Sequence, residues 1–330
     1  MKNKKRMLSG LKPSGELTLG NYIGAIKQFP QYEDEYECFV FIPDLHAITV
    51  EQDAQKLHER IRKNLALYIA CGVDINKNTF FVQSENPYHT CLGWILECNA
   101  GFGEMSRMTQ FKDKKAKGEN VSCGLFTYPA LMASDILLYD VDVVPVGIDQ
   151  KQHVELSRDL AVRMNSKYGE NTFVVPQPIL PKTGAKIKDL LDPSVKMGKS
   201  NENTNGIIYL LEDPAIARKK IMRAVTDSEM CVKYDEQNKP GISNLMQIYA
   251  SLKNISLEQV EQEFEGCNYG TFKRAVADCV CEFLTHIQEK YNSLINSNVL
   301  DQVLDKGRDI SIKIAKEKYE QLCNKIGLGR

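Results

Sequence analysis

The spacing of apolar residues changes about two thirds of the way along this 330-residue chain. Before that point, short apolar runs alternate with segments of helical period, and the runs at residues 6–11, 37–45, 79–84 and 140–147 predict strands. The segments that begin near Thr18 and run from Asp53 to Cys71 predict helices. Alternating strands and helices are typical of a doubly wound parallel sheet. The first part therefore predicts an α/β, Rossmann-like domain.

The last third carries the spacing of amphipathic helices and little strand signal. Helices are predicted at residues 213–225, 243–253, 256–265, 269–294 and 299–323. We interpret them as a smaller all-helical domain that follows the sheet. The predicted division is residues 1–205 for the catalytic domain, 206–295 for the helical domain, and 296–330 for a C-terminal segment that packs back on the catalytic domain.

Composition narrows the class of protein. An apolar fraction of 43% supports a buried core and excludes a disordered or fibrous chain, and a net charge of −1 gives no general electrostatic argument for nucleic-acid binding. No run of about 18 apolar residues predicts a membrane span, and the basic start has no signal-peptide pattern. Ten cysteines without a C-x-x-C pair indicate reduced thiols and no metal site. We expect a cytoplasmic protein that binds no DNA.

The loop after the first predicted strand, KPSGELTLGNYIGA, has features of a phosphate site. Thr18 is a candidate N-cap, and Gly20 leaves the first helical turn without a side chain, so a ligand could lie against the backbone. A tight turn followed by a capped helix, with glycine used for packing, explains the loop equally well. The loop matches neither a G-x-G-x-x-G nor a Walker pattern.

Three residues of one predicted helix share a face. Tyr128, Met132 and Asp135 are spaced four and three apart, which brings an aromatic ring, a thioether and a carboxylate together. A carboxylate among apolar neighbours needs a donor, and a single N–H such as that of an indole would suit it. The alternative is a core aspartate satisfied by backbone donors.

Polar residues also follow the other predicted strands. In GIDQKQH, Asp149 and Gln150 could grip a ribose hydroxyl or an amino group, or Asp149 could simply cap the next helix. His46, in PDLHA, is expected at the same edge of the sheet, where a lone histidine is more often structural. The run QFKDKKAKG, which includes Lys114, is a solvated charged face or the rim of a cleft. KMGKS places Lys196 and Lys199 in a loop between domains.

These segments together resemble the class I aminoacyl-tRNA synthetases, and in particular the bacterial tryptophanyl-tRNA synthetases. TLGN is similar to the HIGH motif of that family and KMGKS to its KMSKS loop. SGLKPSG, RMTQFKDK, VPVGIDQKQH, AVTDSE, KPGISNL and the closing GLGR are also similar to family text, so the resemblance runs essentially from end to end.

The resemblance implies that the chain activates tryptophan with ATP and Mg²⁺, and then transfers it to tRNA(Trp) as a homodimer whose helical domain reads the anticodon. Lys114, Lys196 and Lys199 would be catalytic, neutralising the phosphates. The implied ATP site comprises Lys12, Pro13, Ser14, Gly20, Asn21, Gly147, Ile148, Asp149, Ile187, Lys196, Met197, Gly198, Lys199 and Ser200. The implied tryptophan site comprises Leu8, Gly10, His46, Tyr128, Met132, Asp135, Val144, Val146 and Gln150. No protein metal site is implied, because the ATP phosphates hold the Mg²⁺.

Four positions depart from the family pattern and leave two alternatives open. Lys12 stands where the family commonly has Gln, Ile148 where it has Glu, Gly198 where it has Ser, and Leu8 where it has Phe. These changes bear on ATP handling and pocket shape. The alternatives are a tyrosine-activating relative, and a non-catalytic tRNA-binding or regulatory paralogue that keeps the scaffold.

Overall fold

A five-stranded parallel sheet forms the centre of the chain in a computed structural model. The structure describes residues 4–11, 16–116, 121–179, 185–198 and 203–330, without the side chains of Ile148 and Asp149. The strands lie in the order β3-β2-β1-β4-β5. They are β1 (Lys5–Gly10), β2 (Tyr36–Ile42), β3 (Asn78–Val82), β4 (Val143–Pro145) and β5 (Gln177–Ile179). The strand order reverses between β1 and β4, so the predicted doubly wound sheet is confirmed.

The strands read as nearly continuous apolar runs because both faces of the sheet are covered. Along β2, Cys38 and Val40 enter one apolar cluster, whereas Phe39 and Phe41 enter the cluster on the opposite face. Met7 and Leu8 divide between the two clusters in the same way. This alternation places successive side chains on opposite faces, as strand geometry requires.

Helices cover the sheet and make up most of the remaining chain. Before β5 they are α1 (Leu19–Gly24), α2 (Phe29–Glu35), α3 (Asp44–Ala47), α4 (Ala54–Ala70), α5 (Tyr88–Glu97), α6 (Phe102–Ser106), α7 (Thr109–Ala116), α8 (Cys123–Leu137) and α9 (Ile148–Tyr168). After it they are α10 (Pro214–Met222), α11 (Pro240–Lys253), α12 (Leu257–Glu263), α13 (Tyr269–Ile295) and α14 (Val299–Ile326). The predicted cap is confirmed at Thr18, whose side chain accepts from Asn21 N–H, and Asp53 caps α4 by accepting from Lys56 N–H.

Two local features of the structure differ from what the sequence suggests. The sequence pattern does not predict β5, which is three residues long, lies at the sheet edge and contains Pro178. Proline is compatible with an edge strand because the backbone groups on the outer side of that strand have no ladder partner, so the missing N–H costs no hydrogen bond. The suggestion that Asp149 caps α9 is wrong, since the cap position belongs to Gly147.

The helices after β5 share a core with the sheet. α13 packs against α10, α11 and also α4. One continuous apolar cluster on a face of the sheet includes both Met7 of β1 and Phe272 of α13. α11 approaches the preceding loop closely, because a Cβ on Gly241 would lie 2.1 Å from the Val225 carbonyl oxygen. The helical part is therefore joined to the sheet by apolar packing.

The last helix, α14, crosses β3. A Cβ at Gly307 would lie 1.7 Å from the Phe80 carbonyl oxygen, so glycine is required where the helix meets the strand. Ion pairs tie the helix down near both ends, from Arg62 to Asp301 and from Lys318 to Asp140. In the described part of the chain, none of the helices is long and apolar enough to cross a membrane.

Candidate active site

A cavity of about 440 Å³ opens at the carboxyl ends of β1 and β4, where the strand order reverses. Ligands of open parallel sheets bind at this position. The volume lies in the range of small-molecule sites, roughly 300–1,000 Å³. All nine predicted tryptophan-site residues line it: Leu8, Gly10, His46, Tyr128, Met132, Asp135, Val144, Val146 and Gln150. The structure thus brings together residues from β1, β4 and helices α3, α8 and α9.

Asp135 is the buried charge of this cavity, with 1% of its surface exposed. Its Oδ1 atom accepts from the Gln83 amide at 2.7 Å and lies 2.6 Å from His89 Nδ1. Its Oδ2 atom lies 2.8 Å from His46 Nε2. The hydrogen-bond partners of the carboxylate are three side chains, which does not match the alternative of a core aspartate satisfied by backbone donors.

These donors decide the ionisation of Asp135. Burial is the largest influence and by itself raises the pKa, because a charged carboxylate loses its water. The charge and hydrogen bond of His46, together with those of His89, outweigh burial, and the net pKa of Asp135 is lowered. The cavity therefore contains an ionised carboxylate at neutral pH.

Tyr128 lies on the same face of α8 as predicted and is fixed by two polar neighbours. Its hydroxyl donates to Gln110 Oε1 at 3.0 Å, and it lies 2.6 Å from Nε2 of His153, which is fully buried. Burial raises the pKa of Tyr128 above its ordinary value, so the hydroxyl stays neutral. Tyr128 also meets His46 edge to face, with ring centroids 6.0 Å apart.

Two residues of the implied ATP site, Ile187 and Met197, pack together beside α1. Met197 is fully buried, and its N–H donates to the Ile187 carbonyl. A Cβ on Gly20 would lie 2.8 Å from the carbonyl oxygen of Met197. The Thr18 hydroxyl donates to the same carbonyl at 3.4 Å. In this conformation, the space beside the Gly20 Cα is thus filled by the backbone of Met197.

The N-terminal N–H groups of α1 are likewise paired within the protein. Leu19 N–H donates to the Ile208 carbonyl at 2.8 Å, and Asn21 N–H donates to the Thr18 hydroxyl at 3.1 Å. Asn21 Oδ1 in turn accepts from Thr18 N–H, which completes a capping box. The capped-helix interpretation is confirmed, and in this conformation these three groups do not face a ligand.

The segment that leads into KMGKS is held by α11. Asn244, which is 3% exposed, accepts from Lys188 N–H at 2.8 Å and donates to the Lys188 carbonyl at 2.9 Å. Lys188 forms an antiparallel bridge with Lys196. One amide side chain therefore fixes the backbone that carries the first lysine of the loop.

Other predicted ATP-site residues are placed in part. Gly147 lines the cavity next to Gln150, Lys114 lies half-buried on α7, and Lys196 is exposed. Gly198 is half-buried. Predictions for Lys12, Pro13, Ser14, Lys199 and Ser200 fall outside the described residues, and those for Ile148 and Asp149 concern side chains that the structure does not describe.

Sequence reasoning missed the residues behind Asp135. Gln83 and His89 follow β3, a strand whose apolar run was recognised, and Gln110 lies on α7 in RMTQFKDK. Their signal was position alone, because polar residues after a buried strand collect at the ligand-binding edge of the sheet. Phe41, Pro43 and Thr49 of the cavity wall were missed as well.

A doubly wound parallel sheet with a cavity at its switch point places the chain in the Rossmann-like class of α/β proteins. Residues 1–285 match the family of class I tRNA synthetases for W and Y, and the chain belongs to this family. It is 51% identical to the tryptophan–tRNA ligase of Halalkalibacterium halodurans over 99% of both chains, and 50% identical to that of Listeria monocytogenes over 99% of this chain and 98% of the relative. The Campylobacter jejuni tryptophanyl-tRNA synthetase solved with ADP and tryptophan is 36% identical, with a TM-score of 0.85, over 98% of this chain and all of that one.

Proposed function

We propose that this chain is a tryptophan–tRNA ligase, which activates tryptophan with ATP and transfers it to tRNA(Trp). Ligases of this name are about half identical to it along nearly the whole chain. The observation that carries the proposal within the structure is Asp135, an ionised and buried carboxylate in an otherwise mostly apolar cavity.

Asp135 suits an indole better than a phenol. An indole N–H is a donor with no acceptor to satisfy, whereas a phenol oxygen also carries lone pairs that need donors. His46, His89 and Gln83 already face the carboxylate, and Leu8, Val144 and Val146 contribute hydrocarbon to the wall of the same cavity. A bound tryptophan would place its N–H on Asp135 and its α-amino group between Tyr128 and Gln150.

ATP and Mg²⁺ would enter as substrate from the side of α1. Lys196, Lys199 and Lys114 would neutralise the phosphates as pyrophosphate leaves, and Mg²⁺ bound to ATP would supply further positive charge. In the part of the chain that the structure describes, there is no group of three His, Cys, Asp or Glu side chains placed to hold a metal.

Assembly as a homodimer is supported by an apolar groove on the surface behind the cavity. The Trp94 groove, which we define as Leu45, Ile48, Gly93, Trp94 and Leu131, has a volume of about 540 Å³. Trp94 is 68% exposed and Ile48 is 62% exposed, which is a large apolar surface to leave in water. Tyr128 lines both the groove and the cavity, so a second copy seated here would touch the tryptophan site.

The reaction supplies translation and belongs in the cytoplasm.

The activation step predicts amino-acid-dependent exchange of labelled pyrophosphate into ATP. With Mg²⁺ present, tryptophan should support exchange, while tyrosine and phenylalanine should support far less, because a site built around one hydrogen-bonded group rejects ligands that cannot pair with it. Exchange with tyrosine instead would favour the tyrosine-activating alternative. No exchange from folded protein that binds tRNA would favour the non-catalytic one.

A further inference from the structure

A buried series of hydrogen bonds, which we call the relay, connects Asp135 Oδ1 to His89, Tyr139 and Asn86. Asn86 Nδ2 donates to the Tyr139 hydroxyl at 3.1 Å, and this hydroxyl lies 2.8 Å from His89 Nε2. His89 Nδ1 lies 2.6 Å from Asp135 Oδ1. Asn86, His89 and Tyr139 are at most 1% exposed. The three groups are therefore shielded from bulk solvent.

The ionised carboxylate fixes one end of the relay. Because a carboxylate can only accept, His89 carries a proton on Nδ1 and donates it to Asp135. The Tyr139 hydroxyl, which accepts from Asn86 and also contacts Ser311, lies against the other ring nitrogen of His89. Burial first, and then the charge of Asp135, raise the pKa of Tyr139 well above its ordinary value, so the hydroxyl stays neutral.

The imidazole cannot turn away from the carboxylate. Phe41 and Phe81 pack against it with ring centroids 6.2 and 5.9 Å away, and Tyr139 lies 5.6 Å away. The Ser134 hydroxyl donates to the His89 carbonyl at 2.6 Å, which is a bond to the backbone and not to the ring. The position of the imidazole is thus determined by the aromatic side chains packed around it.

Acceptor sites on the carboxylate can be assigned one by one. A carboxylate oxygen accepts about two hydrogen bonds. Oδ1 receives both His89 and Gln83, so it is filled, whereas Oδ2 receives His46. One acceptor site therefore remains on Oδ2, the oxygen on the side of His46, which lines the cavity.

We propose that His89, supported by Tyr139 and joined by Gln83, is the positioning residue for tryptophan selection: it fills Oδ1 and leaves a single site on Oδ2 for the indole N–H. This inference rests on the proposed function. His89 touches Asp135 and not the substrate, so it acts through the orientation and charge of that carboxylate. With the relay intact, Asp135 is ionised and presents one acceptor.

The titratable groups around Asp135 are few. His46 of α3 and His89 of α5 contact the carboxylate, and Tyr139, just beyond α8, reaches it through His89. On the α9 side, His153 meets Tyr128. Removing the His89 donor leaves burial less opposed, so the pKa of Asp135 should rise. The protonated form then accumulates as the pH falls, and affinity for tryptophan should be lost on the acidic side.

The test compares tryptophan with its isostere in which sulfur replaces the indole N–H. The measured quantity is kcat/KM for tryptophan divided by kcat/KM for the isostere in the exchange assay, because effects on ATP handling cancel in this ratio. His89→Leu should lower the ratio about tenfold or more, since a hydrogen bond to a charged group is affected. The KM for tryptophan should also rise from neutral to mildly acidic pH, whereas it stays flat in the unaltered protein.

Two further variants separate positioning from packing. His89→Asn keeps an N–H near the place of Nδ1 and should recover most of the ratio. Ser134→Ala is the matched control, because it deletes a buried hydrogen bond to the His89 backbone and leaves the ring and Asp135 untouched. Its thermal stability should fall while the ratio and the pH profile stay unchanged.

Gln83→Met keeps the proposal testable if His89→Leu does not fold. It removes the second donor to Oδ1, and it also removes an amide oxygen that has no hydrogen-bond partner among the described residues. Folding should therefore be retained, with a severalfold fall in the ratio. A folded His89→Leu or Gln83→Met protein with the ratio and pH profile of the unaltered protein overturns the proposal, as does an equal fall in Ser134→Ala. Absence of tryptophan-dependent exchange in the unaltered protein would instead reject the proposed function, and with it the inference that rests on it.

Discussion

Individual residues of the cavity could be predicted where one helix or one strand end carries them. Tyr128, Met132 and Asp135 share a face because of helical spacing, and the structure places all three on the cavity wall. The donors to Asp135 could not be predicted in this way. His89 and Gln83 lie 46 and 52 residues before it, and only the folded sheet brings them within hydrogen-bond distance.

At this scale the direct prediction concerns Asp135→Asn. The amide is neutral and turns an N–H group toward neighbours that are donors, so the indole loses a charge-assisted acceptor. We expect kcat/KM for tryptophan to fall about 10-fold to 100-fold in the exchange assay, mostly through KM.

The control for that change is Asp142→Asn. Asp142 Oδ2 accepts from Arg6 N–H at 2.8 Å outside the cavity wall, so the same loss of charge should leave tryptophan kinetics unaltered. Equal effects of the two variants would contradict the role assigned to Asp135.

Secondary-structure elements followed the apolar pattern closely where they are long. The predicted helix at residues 269–294 is α13, Tyr269–Ile295, and the one at 299–323 is α14, Val299–Ile326. β5 could not be predicted, because three residues with a proline carry too little periodicity. Contacts between elements, such as Gly307 against Phe80, depend on the fold and leave no pattern in the local sequence.

Asn244 joins two elements and gives the prediction at this scale. Its side chain pairs with both backbone groups of Lys188 and so connects α11 to the strand-like segment that carries Lys196. Asn244→Ala should slow the activation step by about tenfold, because two backbone groups lose their partner and the segment is no longer fixed. The KM for tryptophan should stay within a factor of about two.

Gln247→Ala is the comparison for Asn244→Ala. Gln247 lies one turn further along α11 and bonds Tyr234 and Glu236 within the helical part. Its loss should leave the activation rate near that of the unaltered protein. A change in tryptophan KM as large as the change in rate would show that Asn244 acts on the whole fold and not on the loop segment.

Among the residues that the structure describes, one apolar cluster passes from the sheet into the helices, a second covers the opposite face of the sheet, and the Trp94 groove is exposed. If a second copy fills the Trp94 groove, light scattering should give twice the chain mass of 37.3 kDa. Trp94→Asp should shift the protein to the monomer, because a buried unpaired charge is costly in an interface.

Ile216→Asp is the control for the groove. Ile216 is 47% exposed on α10, away from the groove-lining residues, and should leave the assembly unchanged. A monomeric unaltered protein, or a dimer that survives Trp94→Asp, would contradict the proposed interface.

The central claim is that this chain charges tRNA with tryptophan, and the most direct measurement is attachment of labelled tryptophan to tRNA(Trp) by the purified protein with ATP and Mg²⁺. We predict acid-precipitable tryptophan on the tRNA, none with tyrosine, and a loss of about tenfold or more with Asp135→Asn. Charging with tyrosine in preference to tryptophan, or binding of tRNA without charging, would contradict the account.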